Sequence, residues 1–383
     1  MELIQKLIFS YFIHPIMKKI ISVFIVSLFL FPVFAQNSKY RLLIGTYTQP
    51  GKSKGIYSYD IDLKNNVFSQ KSVTSGVQNP SFLTITSDKK FVYSVSESTE
   101  GSSSNAFSFD VKTGMLRFLN SSLTKSDGPC FISATDKHVF TANYGGGSIS
   151  VFGIKENGKL TDVMQVIQHI GKSSNTERQN EPHVHQVLVT PDKKYVVAND
   201  LGTDMVTVYK YNPTATSKVL VPFDTLTVKP GSGPRHSVFS KDGKKLYLLQ
   251  EIDGSLSVLE MKNGKLHLIQ ETSIIKDLKV VIRAADIHLS PDEKFLYATN
   301  RGTANDISCF KVLADGKLVF QQIIPTGGSS PRNFAITPDG QYVFIANQDT
   351  DNIIIFKRNI QTGFLTNTGK HIEVGAPVCL LFY

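Results

Sequence analysis

The stretch of residues 328–356 reads GSSPRNFAITPDGQYVFIANQDTDNIIIF, and the chain repeats this pattern about every 50 residues. The copy at residues 231–260 reads GSGPRHSVFSKDGKKLYLLQEIDGSLSVLE, and the copy at residues 181–211 reads EPHVHQVLVTPDKKYVVANDLGTDMVTVYKY. Weaker copies begin at Asn79, Gly128 and Arg283. A fixed period of this length predicts a repeat architecture in which each copy forms one structural unit.

Each copy contains the same succession of short runs. An apolar run leads to a turn at Asp-Gly or Asp-Lys, a second run rich in Tyr, Val and Phe follows, and a third run such as NIIIF alternates. Short β-branched and aromatic runs separated by Asp, Gly and Asn are typical of antiparallel strands. No long stretch with helical period follows the amino terminus. Four-stranded units at this interval predict an all-β fold, the β-propeller.

The number of blades follows from counting first strands. Six are expected inside the chain, beginning near Pro80, Pro129, Val184, Pro234, Ala284 and Pro331. A seventh candidate, GAPVCLLF at residues 375–382, has no partner strands after it, whereas YRLLIGTYT at residues 40–48 resembles a second strand without a first. We therefore expect the carboxyl-terminal strand to complete blade one and to close a seven-bladed ring, because closure removes the free sheet edges.

Residues 1–35 differ in kind from the rest of the chain. From Met17 the sequence reads MKKIISVFIVSLFLFPVFA, with two lysines, an apolar core and small or modest residues at Val33 and Ala35. This is the layout of a secretory signal peptide cleaved after Ala35, and Met17 is a better-placed start than Met1. We expect an exported protein, periplasmic or extracellular, with no stable membrane insertion after cleavage. An uncleaved membrane anchor is the alternative. Residues 36–383 then form the propeller domain.

Composition limits the choice of partners. The net charge is +9 over 383 residues, without a block of Lys or Arg, so nucleic-acid binding is not indicated. A basic balance is compatible with a small anionic substrate. Cys130, Cys309 and Cys379 each lie in an apolar strand, which predicts buried free thiols. We expect a monomer or a weak homo-oligomer.

Two sets of positions should meet at one end of the central channel. In a four-stranded meander, the entrance to strand one and the loop between strands two and three lie at the same end, and strand one is innermost. The polar residues at these positions are His183, His185, Arg235, His236, Arg283, Arg332, Asn143, Tyr144, Asn199, Asp200, Glu251, Asp253, Asn300, Arg301, Asn347 and Asp349. Arginine forks bind carboxylate or phosphate, and histidine or glutamate beside them can transfer protons near neutral pH.

Structural roles compete with functional ones at several of these positions. Asn143, Asn199 and Asn347 suit turns that side-chain hydrogen bonds stabilise, and the repeated Asp192, Asp242, Asp292 and Asp339 are turn residues. Alternation places His183 and His185 on the same side of a strand, where they could be metal ligands, but no third ligand follows at a zinc-like spacing. Arg235 and Glu251 could form a structural ion pair. No phosphate-binding loop or nucleophile motif is present.

Three ordered motifs resemble one known family. They are P-H-x-H ending at His185, G-P-R-H ending at His236 and N-R-G around Arg301, and they resemble the seven-bladed propeller lactonases. That family includes the propeller type of 6-phosphogluconolactonase and the fungal 3-carboxy-cis,cis-muconate lactonizing enzyme. The resemblance spans about residues 40–383. It implies a site that joins His185 (or His183) to Arg235, Glu251 and Arg301. Family members often have Asn-Glu-Leu where this chain has Gln-Glu-Ile around Glu251.

We therefore expect a lactone hydrolase that opens a sugar lactone by attack of water at the mouth of the channel, without a cofactor or a metal. The expected catalytic residues are His185, Arg235, Glu251 and Arg301, and the expected substrate-binding residues are His183, His236, Arg332 and Asn347. Either Glu251 or His185 would act as the general base, while Arg235 and Arg301 would hold the anionic group and stabilise the oxyanion.

Two other functions fit the same residues. The first is an exported, non-catalytic propeller that binds a ligand or a partner, since the fold alone does not separate binding from catalysis. The second is a muconate-type cycloisomerase. Export would also separate the protein from 6-phosphogluconolactone, which is made in the cytoplasm. A non-phosphorylated sugar lactone is therefore an alternative substrate.

Overall fold

The computed structural model describes residues 38–276 and 279–383, in which the chain forms twenty-eight β-strands and no helix. The strands are, in chain order, β1 (Lys39–Thr46), β2 (Gly55–Asp62), β3 (Val67–Ser75), β4 (Leu83–Ile85), β5 (Phe91–Ser96), β6 (Ser103–Asp110), β7 (Met115–Leu123), β8 (Pro129–Ala134), β9 (His138–Asn143), β10 (Ser148–Ile154), β11 (Leu160–Gln168), β12 (Val184–Val189), β13 (Tyr195–Asp200), β14 (Met205–Tyr211), β15 (Leu220–Thr227), β16 (Pro234–Phe239), β17 (Lys245–Gln250), β18 (Ser255–Lys262), β19 (Lys265–Ser273), β20 (Ala284–Leu289), β21 (Phe295–Asn300), β22 (Asp306–Val312), β23 (Leu318–Pro325), β24 (Pro331–Ile336), β25 (Tyr342–Asn347), β26 (Asn352–Arg358), β27 (Leu365–Glu373) and β28 (Pro377–Phe382).

These strands form seven four-stranded antiparallel sheets. Six sheets are made of consecutive strands, from β4–β7 to β24–β27. The remaining sheet has the order β28-β1-β2-β3, so the last strand of the chain lies innermost in the first blade. The predicted seven-bladed propeller, closed by its carboxyl-terminal strand, is confirmed.

Closure of the ring is stabilised by pairing and by packing. β28 pairs antiparallel with β1, with Leu42 opposite Phe382 and Ile44 opposite Leu380. The buried side chains of β1 pack against blade seven in one hydrophobic cluster that includes Phe344. Because apolar surface is buried on both sides of this junction, the two ends of the fold are joined by core contacts as well as by hydrogen bonds.

The first strands begin where the repeats predict, with one exception. β4 covers only Leu83–Ile85 and does not begin near Pro80. Asn79 has a φ of 40°, and its carbonyl oxygen accepts hydrogen bonds from the amides of Ser81 and Glu97. Proline has no amide hydrogen to give to a ladder. The chain therefore enters blade two through a turn, and the innermost strand is short.

Burial is greatest in the inner strands of each blade and least in the outermost strand. Every residue of the second strand β9 is buried, whereas the outermost strand β3 is mostly exposed. Second strands lie between two paired neighbours and contact the adjacent blades on both faces, which explains their continuous apolar sequence. The core therefore lies between blades, and the channel end of each first strand remains available for polar side chains.

The repeated aspartates are turn residues, as expected. Asp192 accepts hydrogen bonds from the hydroxyl of Thr190 at 2.7 Å and from the amide of Lys194 at 3.1 Å. The same pattern recurs at Asp242, Asp292 and Asp339. A short acidic side chain that binds its own backbone two residues on fixes a tight turn. These carboxylates connect strands one and two at the end of each blade away from the candidate site.

The three cysteines are free and buried, as predicted. Burial raises the pKa of each thiol, to about 12 for Cys309 and Cys379. Thiols in this state are poor nucleophiles.

The predicted signal peptide, from Met17 to Ala35, lies outside the described residues. Within residues 38–276 and 279–383, no helix is long and apolar enough to cross a membrane.

Candidate active site

A cavity of about 390 Å³ opens at the channel end where first strands begin and second strands end. All seven blades contribute side chains to its wall. The lining residues are Tyr47, Glu97, Cys130, Tyr144, Arg178, His185, Glu251, Arg283, Arg301 and Arg332. We call this space the mouth cavity. The structure therefore brings together residues from both sets of positions that the topology selects, although not all of them.

A β-bulge interrupts the pairing of the first strand in six of the seven blades. In β12 the register shifts between Val184 and Gln186, so His185 has no partner residue in β13. The corresponding extra residues in β8, β16 and β24 are Cys130, Arg235 and Arg332. A bulge of this kind re-aims a side chain without moving the rest of the strand. These side chains accordingly line the channel.

His183 and His185 occupy different environments, so the expectation from strand alternation is wrong. β12 begins only at Val184, and the bulge breaks the alternation. The His183 ring stacks on Tyr144 with centroids 4.4 Å apart, and its Nδ1 lies 3.0 Å from the carbonyl oxygen of Tyr144. A Cβ on Gly202 would overlap the carbonyl oxygen of Glu181, so glycine permits the close approach of this loop. His185 lines the mouth cavity, whereas His183 supports its wall.

Glu251 follows β17 directly and binds three guanidinium groups. Its Oε2 lies 2.8 Å from Nε of Arg235 and 3.0 Å from Nη2 of Arg301, while its Oε1 lies 2.7 Å from Nη2 of Arg178. Burial raises the pKa of Glu251, but the charges of Arg301, Arg235 and Arg178 lower it more and hold it well below its usual range. The carboxylate is therefore ionised, and both of its oxygens are occupied.

Arg235 lies beneath the mouth cavity and does not line it. Its side chain is 1% exposed, and its Nη1 donates a hydrogen bond to the carbonyl of Ala285. It lines a narrow space of about 10 Å³, which we call the throat, together with Ser81, Phe82, Cys130, His185, His236, Arg332 and Val378. Arg235 therefore holds Glu251 from below.

Arg283 and Arg332 differ from the arginines around Glu251. In the part of the chain that the structure describes, neither guanidinium group forms a hydrogen bond or an ion pair with the protein. The guanidinium carbon of Arg332 lies 5.3 Å from the centroid of the Tyr47 ring, in a cation–π arrangement. Two charged forks that face the mouth cavity are thus available to bind an anion or a polar oxygen.

His185 is a neutral imidazole at the base of the mouth cavity. Its side chain is buried, with Nδ1 3.7 Å from Sγ of Cys130 and its ring edge-on to Tyr144 and His236. Burial, and next the positive charge of Arg235, lower the pKa of His185 well below its usual value. At neutral pH this ring therefore offers one donor and one acceptor nitrogen and carries no charge.

His236 does not reach the mouth cavity. It lies one layer deeper, with Nδ1 2.8 Å from Oδ1 of Asp286, and the bulge at Arg235 sends its side chain into the throat. Burial and the charge of Arg235 lower the pKa of His236 to about 4. The structure therefore does not bring this predicted substrate-binding residue to the mouth cavity.

Asn347 does not line the mouth cavity either. It is the last residue of β25, it is fully buried, and its Nδ2 lies 3.0 Å from Oδ1 of Asn352. The side chain of the last strand residue points into the blade, whereas the next residue turns toward the channel. Glu251 and Arg301 occupy this next position in blades five and six, and Gln348 occupies it in blade seven. Asn347, a predicted substrate-binding residue, therefore lies within its blade and outside the mouth cavity.

The sequence analysis missed Glu97 and Tyr47. Both follow directly on second strands, β5 and β1, and so occupy the position that Glu251 holds in blade five. A comparison of FVYSVSE, which ends at Glu97, with KLYLLQE, which ends at Glu251, contains the signal. The signal is weak because the copy of the repeat in blade two departs more from the common pattern.

Arg178 was also missed, and it has no equivalent in the other repeats. It lies in the long connection between β11 and β12. Oδ1 of Asn175 accepts the amide of Arg178 at 3.1 Å, and Nε2 of the buried Gln179 donates to the carbonyl of Leu201 at 2.8 Å. These contacts fix a turn that carries the guanidinium group over Glu251.

Metal-ligating side chains are not clustered in the described part of the chain. No group of three or more His, Cys, Asp or Glu residues there has an arrangement that could hold an ion. The site contains an ionised carboxylate between three arginines. Around the same cavity lie two arginines without a hydrogen-bond or ion-pair partner, a neutral histidine and a second carboxylate.

Comparison with known proteins identifies the family of this chain. The family described as "Lactonase, 7-bladed beta-propeller" matches residues 41–382. The chain belongs to this lactonase family. Relatives named 6-phosphogluconolactonase support a lactone hydrolase, in agreement with the resemblance that the three motifs indicate. This lactonase is 33% identical over 351 residues to a protein of Bacillus subtilis named 6-phosphogluconolactonase, covering 90% of this chain and 99% of the relative.

Solved structures show the same relationship. The lactonase superposes with a TM-score of 0.87 on a putative 6-phosphogluconolactonase from Bacteroides fragilis, with 41% identity and coverage of 91% of this chain and 99% of the other. It superposes with a TM-score of 0.84 on a periplasmic gluconolactonase from Pseudomonas aeruginosa, with 34% identity and coverage of 90% and 99%. The similarity extends over the whole propeller.

Proposed function

We propose that the mouth cavity is the site where this lactonase opens an aldonolactone by attack of water on the ester carbonyl. The observation that carries the proposal is the position of Arg283 and Arg332, whose guanidinium groups have no hydrogen-bond or ion-pair partner within the described residues. Unpaired charged donors in a concave site favour a ligand that brings its own acceptor oxygens. A lactone with several hydroxyl groups, or with an anionic group, supplies them.

Each arginine of the cavity has a distinct role in this proposal. Arg283 and Arg332 hold the oxygens of the bound lactone. Arg301, fixed against Glu251 at 3.0 Å, donates to the oxyanion that develops when water attacks the carbonyl. Arg178 closes the other side of the carboxylate. Because Glu251 already holds the guanidinium groups of Arg301 and Arg178 in place before the reaction, little reorganisation opposes charge development.

Glu251 and Arg235 act by positioning in this scheme. Because both oxygens of Glu251 bind guanidinium groups, its role is to hold Arg301 and Arg178 and to balance their charges. Arg235 anchors that carboxylate from the throat. His185 offers a neutral nitrogen to a hydroxyl group or a water molecule at the cavity floor. His183 and Tyr144 form a stacked wall.

The substrate we propose is a sugar lactone met outside the cytoplasm. The leader at residues 17–35 supports export, and a structural neighbour is named a periplasmic gluconolactonase. An exported enzyme meets the unphosphorylated lactone, whereas the Bacillus subtilis relative is named for the 6-phosphate. Arg283 and Arg332 would also bind a phosphate group, so the two substrates must be compared directly.

The test is a lactonase assay on purified protein. Acid release from δ-gluconolactone and from its 6-phosphate is followed with a pH indicator, and spontaneous ring opening is subtracted at each concentration. We expect saturable turnover of δ-gluconolactone, with a kcat/KM above that for the phosphate ester. Absence of turnover with either lactone refutes the proposed function and favours a binding propeller. A preference for the phosphate ester overturns the choice of substrate alone.

A further inference from the structure

Two carboxylates face the mouth cavity from opposite sides of the ring. Glu251 follows β17 in blade five, and Glu97 follows β5 at the same repeat position in blade two. Proteins that carry out acid–base chemistry often place two carboxylates in environments that separate their proton affinities. The partners of each carboxylate therefore indicate which one can accept a proton.

Glu97 is bound by hydroxyl groups and not by cations. The hydroxyl of Tyr47 lies 3.0 Å from its Oε1 and 2.9 Å from its Oε2, and the hydroxyl of Ser81 donates to Oε2. No Lys, Arg or His nitrogen lies within 4.0 Å of its carboxylate among residues 38–276 and 279–383. Burial raises the pKa of the Tyr47 phenol above its usual range, so this hydroxyl remains a donor.

The lone pairs of the two carboxylates are used differently. A carboxylate has about four acceptor positions. Tyr47 and Ser81 supply one proton each to Glu97, which leaves acceptor positions free on a side chain that lines the cavity. In Glu251, three guanidinium groups stabilise the ionised form and oppose proton uptake.

We propose that Glu97 is the general base, and then the general acid, of lactone opening. This inference rests on the function proposed above. His185 is the other candidate in the cavity, but its protonation would place a third positive charge beside those of Arg235 and Arg332, which line the same throat. Protonation of Glu97 neutralises a negative charge and adds no positive charge to the cavity.

The chemical step balances without any further reactant. Glu97 takes one proton from water as the water oxygen bonds to the lactone carbonyl carbon, and the carbonyl electrons move to the oxygen that the arginines stabilise. Collapse of this intermediate breaks the bond between the carbonyl carbon and the ring oxygen. Glu97 returns its proton to the departing ring oxygen, which becomes a hydroxyl group. The carboxylic acid product then loses a proton to solvent.

Tyr47 connects this base to substrate binding. The same aromatic side chain donates to Glu97 and lies under the guanidinium group of Arg332. An anion or hydroxyl group held by Arg332 is thus bound next to the carboxylate. This arrangement places the proposed base on the side of the cavity where a partnerless arginine fixes the lactone.

The experiment compares Glu97→Gln with the wild type and with a matched control in the same loop, Glu100→Gln. Glu100 is exposed and does not line the cavity. We expect kcat of Glu97→Gln to fall about 100-fold or more, the usual contribution of a positioned base. KM and the melting temperature should change little. Glu100→Gln should match the wild type in every respect.

A second variant tests the same role if Glu97→Gln does not fold. Glu97→Ala, checked by circular dichroism, leaves room for a small carboxylate, and added formate should restore part of the lost kcat in proportion to its concentration. A wild-type enzyme that turns over lactone while Glu97→Gln keeps a kcat within about tenfold of it overturns the inference. Folded Glu97→Ala that formate does not rescue also counts against it. A wild type inactive on both lactones refutes the proposed function instead.

Discussion

Replacement of Glu251 by glutamine should destabilise the protein because it removes the charge that balances three guanidinium groups. The variant keeps the shape of the side chain but replaces an acceptor oxygen with an NH₂ donor. Arg235 is 1% exposed and Glu251 is 6% exposed, so this pair is buried. Arg178 is 34% exposed and its charge is screened by solvent. Arg301, which also pairs with Glu251, is 12% exposed. The magnitude therefore rests on the buried pairs with Arg235 and Arg301.

Breaking a buried ion pair by removing one partner costs about 3–5 kcal/mol. The entropy of unfolding for a domain of this size is about 0.7 kcal/mol per kelvin, so the melting temperature should fall by about 4–7 °C at pH 7. Differential scanning fluorimetry measures this shift. Glu260→Gln is the control, because Glu260 pairs with Lys245 on the exposed side of the same blade. That variant should melt with the wild type.

The pH dependence gives a second test of the same reasoning. The pKa of Glu251 is lower in the folded protein than in the unfolded chain, so its stabilising contribution is complete above about pH 4.3. It is lost as the pH falls toward the folded pKa. The difference in melting temperature between wild type and Glu251→Gln should therefore be largest near pH 7 and narrow below pH 4. Equal melting at pH 7, or a gap that widens in acid, would refute the charge-balance role.

Three further outcomes follow from the structure. Arg332→Met keeps the apolar stem of the side chain but removes the guanidinium group. KM should therefore rise at least about 30-fold, corresponding to about 2 kcal/mol, while the melting temperature stays unchanged. An unaltered KM would show that Arg332 does not bind the substrate. Cys130, Cys309 and Cys379 should not react with a disulfide reagent in the native protein and should all react in guanidinium chloride, since burial raises the pKa of each thiol; rapid native labelling would contradict their burial. Deletion of residues 377–383 removes β28 and should abolish cooperative unfolding in urea, whereas a variant with wild-type stability would show that ring closure is dispensable.

The fold could be predicted from the sequence because strand pairing in a meander is local. Each copy of the repeat contains its own turn aspartate and its own alternating runs, and counting first strands was enough to assign the carboxyl-terminal strand to blade one. The start of β4 was harder to predict, since the turn at Asn79 depends on hydrogen bonds to Ser81 and Glu97 that no propensity shows.

The candidate site was predicted less completely, for identifiable reasons. Glu251 and Arg301 were found because they stand at repeat positions in strong copies, but Glu97 stands in a weak one. The expectation that His183 and His185 lie on the same side of a strand was wrong because a bulge changes the direction of side chains, and bulges have no clear sequence signal. Arg178 lies in a connection outside the repeat, where its approach to Glu251 is set by tertiary contacts alone.

The bulge in the first strands also bears on how this scaffold can diversify. In six blades the extra residue takes no part in the pairing of its strand, whether it is histidine, arginine, cysteine or, in β28, Val378. A substitution there changes the chemistry of the channel without altering the hydrogen-bonded ladder of the strand. New specificities can thus evolve one blade at a time, at positions that strand pairing leaves free.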